Sequence, residues 1–197
     1  MLDTTATLAL RGPMRGRKIS FLLLIAVPAC AADQLSKFAA YSALTYRPAD
    51  HSALEQFASG ARAIVKPPQV VVDNFWDFQY SENPGAAFSF LAGAKQSFRG
   101  PFFVVIALIV LPLLIRFYLA ARPEERIRRF AVPIIIGGSL GNFIDRQRLG
   151  YVIDFVHWHL GERVDWPIFN VADAAISIGV VLLLIESLRS QRAALKG

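Results

Sequence analysis

Four apolar stretches, each long enough to cross a bilayer, decide what this chain can fold into. A helix rises ~1.5 Å per residue, so a hydrocarbon core ~30 Å thick takes about 20 residues. Residues 19–46, 102–121, 130–149 and 170–188 reach that length. In lipid, a lone apolar segment satisfies its backbone groups only as a helix. The expected fold is therefore all-α and integral to the membrane: a four-transmembrane-helix bundle, forming one domain over 1–197. The chain is 54% hydrophobic with a mean hydropathy of +0.42, more apolar than an ordinary soluble domain.

The net charge of +6 does not point to nucleic acid, because the basic residues gather at the ends of apolar runs. Arg11, Arg15, Arg17 and Lys18 precede the first run. Arg122, Arg126, Arg128 and Arg129 crowd a short middle loop, and Arg189, Arg192 and Lys196 follow the last run. The two alternate connections, 47–100 and 150–169, carry basic residues at lower density. The positive-inside rule then puts both termini in the cytoplasm and the two long connections outside. Within the first of these, Gln69 to Tyr80 reads as one or two strands, rich in Val and aromatics, and Ser81 to Gly85 reads as a turn. A small extracytoplasmic β-containing section is thus expected between the first two spans. His51 to Lys66 is only weakly helical, and 150–169 reads as a short polar excursion.

Val27-Pro28-Ala29-Cys30 after a basic leader has the look of a lipoprotein cleavage site. Pro28 fits such a site poorly, and apolar sequence continues well past Cys30, so an uncleaved spanning helix is expected. A single cysteine excludes an internal disulfide framework.

Ionisable groups at membrane depth are costly to leave unpaired, and they are functional candidates for that reason. Asp33 and Lys37 stand i, i+4 in the first span and share a face, as an intrahelical ion pair or as part of a site. Asn142 and Arg146 repeat that spacing in the third span, with Asp145 on the same turn. Arg146 fits either a snorkelling end or a clamp for a substrate carbonyl or carboxylate. Asn170 and Asp173 fit an N-cap with its acidic N3 partner. Gly137, Gly138, Ser139 and Gly141 offer a small-residue face for close helix packing.

Asp154 and Asp173 fall on the same side of the membrane, each at the mouth of a span. Two carboxylates sharing a proton can activate a water and protonate an intermediate without a metal. Asp173, at a helix N-terminus, is expected to carry the charge. Asp154, in an aromatic setting of Tyr151, Phe155 and Trp158, is expected to hold the proton through desolvation. Competing chemistries are poorly supplied. There is no H-E-x-x-H and no G-x-S-x-G, and Ser36 and Lys37 are helix neighbours pointing apart. His157 and His159 stand i, i+2 around Trp158. They fit interfacial side chains, or metal ligands lacking a third partner at recognised spacing.

The residues then form a pattern. Asp33-Gln34-Leu35-Ser36-Lys37 resembles D-x-x-[ST]-K, and Asn83-Pro84-Gly85-Ala86-Ala87-Phe88-Ser89 resembles N-x-G-A-A-F-S. Gly137 to Arg146 with Gly150 to Phe155 is similar to G-G-x-x-G-N-x-x-D-R followed by V-x-D-F, and Phe169 to Asp173 to F-N-x-A-D. With these motifs in this order, the chain resembles the lipoprotein signal peptidases (signal peptidase II), four-span aspartic peptidases of bacterial inner membranes. The resemblance implies cleavage of prolipoprotein signal peptides before the diacylglyceryl-modified cysteine, at a site near the outer face of the cytoplasmic membrane. It puts the catalytic pair on Asp154 and Asp173. Substrate-binding and supporting roles fall on Asp33, Lys37, Asn83, Gly85, Asn142, Asp145, Arg146, Asn170 and Ala172. It also implies contact with membrane lipid, inhibition by globomycin-type compounds, no cofactor, no metal, no nucleic acid and a monomeric enzyme. Residues 47–69 run longer than is typical of the family. The reading of a different class is a small transporter or proton-coupled channel using the intramembrane carboxylates as a relay.

Overall fold

The computed structural model describes residues 11–46, 52–60, 63–85, 93 and 95–194. Four long helices dominate: α1 (Arg11–Leu44), α3 (Gln96–Leu119), α4 (Arg126–Leu149) and α5 (Val171–Ala194), with a short α2 (Ala53–Ser59). Each long helix contains a segment long and apolar enough to span a membrane. The protein is a mostly helical membrane protein. Leu23, Leu24, Leu108, Leu113, Leu184 and Leu188 are all more than half exposed, the outward face that lipid would cover. Half of the span in α4 is buried against only 6% of that in α3, so α4 is the central helix and α3 a peripheral one.

Small residues let α4 approach its neighbours. A Cβ on Gly137 would sit 2.6 Å from the Ala26 carbonyl of α1, and one on Gly138 would sit 2.7 Å from the Ala172 carbonyl of α5. The glycines expected to form one packing face thus serve two helices. One end of the bundle is fastened by Lys18 of α1, whose Nζ donates to the Leu119 and Ala121 carbonyls at 2.7 and 2.8 Å. The Leu119 carbonyl is left over at the C-terminus of α3, where the helix offers it no partner, and Ala121 lies just beyond the cap.

At the opposite end sits a sheet. Strands β3 (Gln69–Val72), β4 (Trp76–Asn83), β5 (Val152–Leu160) and β6 (Val164–Asp165) pair in that order, all antiparallel. A separate two-stranded pair joins β1 (Thr45–Tyr46) to β2 (Ile64–Val65). The stretch expected as one or two strands is a hairpin turning at 73–75, and β4 continues through Asn83, into residues read as a turn. The larger correction concerns 150–169. Its nine-residue strand β5 forms the middle of the sheet, so the β-structure comes from both long connections and not only the first. His51 to Lys66 contains a well-formed helical turn: Ser52 caps α2 by accepting from Glu55 N–H, and the Glu55 carboxylate accepts from Ser52 N–H. The stretch from Ala86 to Leu91 lies outside the described residues.

A buried apolar cluster holds sheet to bundle. Ala40, Tyr41 and Leu44 of α1 meet Phe57 of α2, Tyr80 of β4, and Ile153 and Phe155 of β5. Phe57 stands edge-on to both Phe38 and Tyr41, with centroids 5.4 and 5.7 Å apart, geometry that aromatic pairs favour. Side chains alternate along a strand. Seating Ile153 and Phe155 in this cluster therefore turns Asp154 the other way, toward the helices.

Candidate active site

Asp154 comes from β5 and Asp173 from the first turn of α5, and asparagines link them. Asn170 Nδ2 donates to Asp154 Oδ1 at 2.6 Å, and Asn142 Nδ2 donates to Asp173 Oδ1 at 2.8 Å. Asn170 Nδ2 also reaches Asn142 Oδ1 at 3.2 Å, closing a continuous chain between the two carboxylates. From β4, Asn83 Nδ2 donates to the other oxygen of Asp154 at 3.0 Å. The expected cap at the start of α5 is present in reciprocal form. Asp173 N–H donates to Asn170 Oδ1 at 2.9 Å, and Asn170 N–H donates to Asp173 Oδ2 at 3.3 Å. One pair of residues thereby both starts a helix and aims a carboxylate.

Asp154 is 2% exposed. Burial, reinforced by the negative charge of Asp173, pushes its carboxyl up to about 7. The amides of Asn83 and Asn170 and the Lys37 charge pull the other way and are outweighed. The aromatic setting expected for it is corrected by the strand. Phe155 faces the opposite side. Trp158 lies four residues along, roughly 13 Å at strand rise, where it packs edge-on to Phe169.

Beneath the pair lies a fully buried ion cluster. Lys37 Nζ is 2.8 Å from Asp33 Oδ2, 2.8 Å from Asp145 Oδ2, and donates to Asn142 Oδ1 at 2.8 Å, which uses all three of its N–H groups. The intrahelical pair expected at i, i+4 is therefore also a tie from α1 to α4. Asp33 Oδ1 accepts from Ala172 N–H at 2.9 Å, one of the free donors at the start of α5. Asp145 turns away from Asn142 and Arg146 toward α1. Its carboxylate accepts from Gln34 Nε2 at 2.9 Å and from Ile153 N–H at 3.3 Å. Asp33 and Asp145 reach the pair through α5 and β5, while Lys37 holds Asn142 and adds its charge. Gln34, which also donates to the Gly141 carbonyl at 3.1 Å, falls at an unspecified position of the D-x-x-[ST]-K pattern, which assigns it no role. Its place one residue after Asp33 was the only available signal.

Arg146 closes the other side. Nη2 donates to the Gly85 carbonyl at 2.8 Å, Nη1 to the Asn142 carbonyl at 3.4 Å, and the guanidinium lies 4.3 Å from the ring centroid of Phe103. Gly85 N–H in turn donates to Asn83 Oδ1 at 3.0 Å. The arginine is thus neither snorkelling nor clear of protein partners: it ties the end of β4 to α4. All eleven residues singled out from the sequence gather at this one end of the bundle. His157 and His159 do not, lying farther along β5.

The chemistry available is that of two carboxylates in a water-poor polar shell, one of them near neutrality. Residues 25–189 match the family model described as Signal peptidase (SPase) II. The lipoprotein signal peptidase of Syntrophotalea carbinolica is 39% identical over 178 residues, covering 89% of this chain and 96% of that one. That of Anaeromyxobacter sp. is 34% identical over 179 residues, covering 86% and 85%. A solved structure described as a bacterial membrane enzyme, obtained by the in meso method, superposes with a TM-score of 0.66. It has 29% identity and covers 88% of this chain and 90% of that chain. The chain belongs to the signal peptidase II family, and it is a membrane-embedded peptidase of the lipoprotein signal peptidase type.

Proposed function

We propose that the chain is an aspartic endopeptidase that removes signal peptides from diacylglyceryl-modified prolipoproteins, cutting just before the lipidated cysteine. The observation that carries this reading is the amide-bridged pair Asp154 and Asp173, with Asp154 pushed up to about 7. In the resting site Asp173 is the base. It stands in the first turn of α5, where the helix dipole favours an anion. It takes a proton from a water lying between the pair, and the resulting hydroxide attacks the scissile carbonyl. Asp154 gives its proton to the developing oxyanion; as the gem-diol collapses, Asp154 takes a proton back from a diol hydroxyl and Asp173 gives the leaving amine the proton it took from water.

Asn83, Gly85, Asn142, Arg146 and Asn170 form the wall along which the substrate backbone runs. Asp33, Lys37, Asp145 and Ala172 hold that wall in register. The signal helix arrives laterally through lipid, and the site lies at the outer face of a bacterial inner membrane, with both termini in the cytoplasm. The sheet end then sits where the lipidated cysteine emerges from the bilayer, and the enzyme works as a single domain and a monomer.

The test is cleavage of a synthetic diacylglyceryl prolipoprotein by the purified chain, with both products weighed by mass spectrometry. The reading expects a product beginning with the lipidated cysteine and little turnover of the unlipidated peptide. Cleavage elsewhere, or equal turnover of the two peptides, overturns it.

A further inference from the structure

Away from the carboxylate pair, the sheet carries a second cluster on one face. Asp77 of β4 is registered against His157 of β5, and His159 against Asp165 of β6. Side chains at alternate strand positions share a face. His157, His159 and their cross-strand partners therefore line up together, while Trp76 and Trp158, also paired, occupy the other face. Asp77 is buried, and the two imidazoles are largely so, with side-chain exposures of 16% and 21%.

We propose that Asp77, His157 and His159 form a binding site for a divalent transition-metal ion of the zinc class. One ligand atom from each residue falls within a set whose members all lie within 4.8 Å of one another. Asp77 Oδ2 is the point of convergence, 3.2 Å from His157 Nδ1 and 3.2 Å from His159 Nε2. Hydrogen bonds between charged imidazole and carboxylate run shorter, about 2.7–2.9 Å. Two ligands at about 2.0–2.1 Å on a tetrahedral ion stand roughly 3.3 Å apart. The 3.2 Å separations thus stand at the long end of direct hydrogen bonding and match the spacing of two ligands on one ion. The other nitrogen of His157 supplies an independent observation. His157 Nε2 lies 2.6 Å from Asp165 Oδ1, a true hydrogen bond, which fixes the ring and leaves Nδ1 facing Asp77 and His159. A ligating histidine oriented through its far nitrogen by a carboxylate is the usual outer support of a metal site. His157 and Asp165 also line a cavity of ≈ 350 Å³ with Gln79, Trp166, Pro167 and Ile168. Spacing along the sequence gave no third ligand because Asp77 lies eighty residues before His157 and reaches it only through the sheet register.

Such an ion would pin β4 to β5, the two strands that bring Asn83 and Asp154 together. The site stands independently of the peptidase reading, because it shares no residue with the carboxylate pair.

The experiment is titration of the full chain, purified in detergent and stripped with a chelator, with Zn²⁺ by calorimetry and with Co²⁺ by visible absorption. The expected result is one Zn²⁺ per chain and a tetrahedral Co²⁺ spectrum that Zn²⁺ displaces. Asp165→Asn should weaken binding about 10–100-fold, the range for losing an outer-shell partner. His159→Ala and Asp77→Asn should weaken it further, and His51→Ala, which removes the chain's third histidine, should leave it unchanged. Should a variant fail to fold, the wild-type Co²⁺ spectrum and its reversal by chelator decide alone. Substoichiometric binding, an octahedral Co²⁺ spectrum, or affinity unchanged in folded His159→Ala overturns the proposal.

Discussion

Replacing Lys37 by methionine isolates what the buried ion cluster contributes. The ammonium is 2.8 Å from each of two carboxylates and 2.8 Å from Asn142 Oδ1, and all three charged side chains are fully buried. Methionine keeps the length and the apolar stem but removes the charge and the donors. Asp33 retains the Ala172 N–H, and Asp145 retains Gln34 and Ile153 N–H, yet the two carboxylates then face each other without a countercharge. Breaking a buried pair by removing one partner costs about 3–5 kcal/mol, and with two carboxylates stranded the upper end is expected. The assay is unfolding of the purified protein by SDS in mixed micelles. A second substitution separates charge from packing: Lys37→Met with Asp145→Asn removes one stranded carboxylate and should recover a large part of the loss. A Lys37→Met cost under about 1 kcal/mol, well below the buried-pair range, would refute the reasoning. So would a double variant no more stable than the single one.

Three further outcomes follow from the same geometry. Gly141→Ala drives a Cβ into the Asp33 carboxylate, which is held from two sides and cannot retreat; a loss of roughly 1–3 kcal/mol is expected in the same unfolding assay. Asn170→Ala removes a cap worth about 1 kcal/mol and also the donor to Asp154. Its cleavage rate should fall far more than its stability, as kinetics and unfolding on one preparation would reveal. Because Asp154 is raised from 3.8 to about 7, the unfolded chain ionises it well before the folded chain does. Stability should therefore decline as pH rises from about 4 through 7, by on the order of 4 kcal/mol at most, and Asp154→Asn should flatten that decline. The cleavage rate of the wild type should likewise fall on the alkaline side of about 7.

The helices were legible because lipid imposes a length and a composition that a single sequence displays openly. α1 begins earlier than the apolar run suggests, since its basic leader continues the same helix. What resisted reading was non-local. Asp154 and Ser81 are cross-strand partners far apart in the chain, and β5 mixes polar and apolar residues so that a strand looks like a loop. Asp145 shows the same limit. On its own helix it looked like a companion of Arg146, whereas its partners Lys37 and Gln34 come from α1. The capping pair Asn170 and Asp173 was readable because its partners are three residues apart. The bridge from Asn170 to Asp154 was not, because it needs the β4–β5 pairing to bring the carboxyl within 2.6 Å.

The central claim is that Asp154 and Asp173 work as one catalytic unit. The direct measurement is single-turnover cleavage of a diacylglyceryl prolipoprotein by wild type, Asp154→Asn, Asp173→Asn and the double variant, each shown to be folded and to bind substrate. The account expects either single substitution to abolish cleavage while binding persists, with the double variant no worse than the singles. Substantial cleavage by either folded single variant would contradict it.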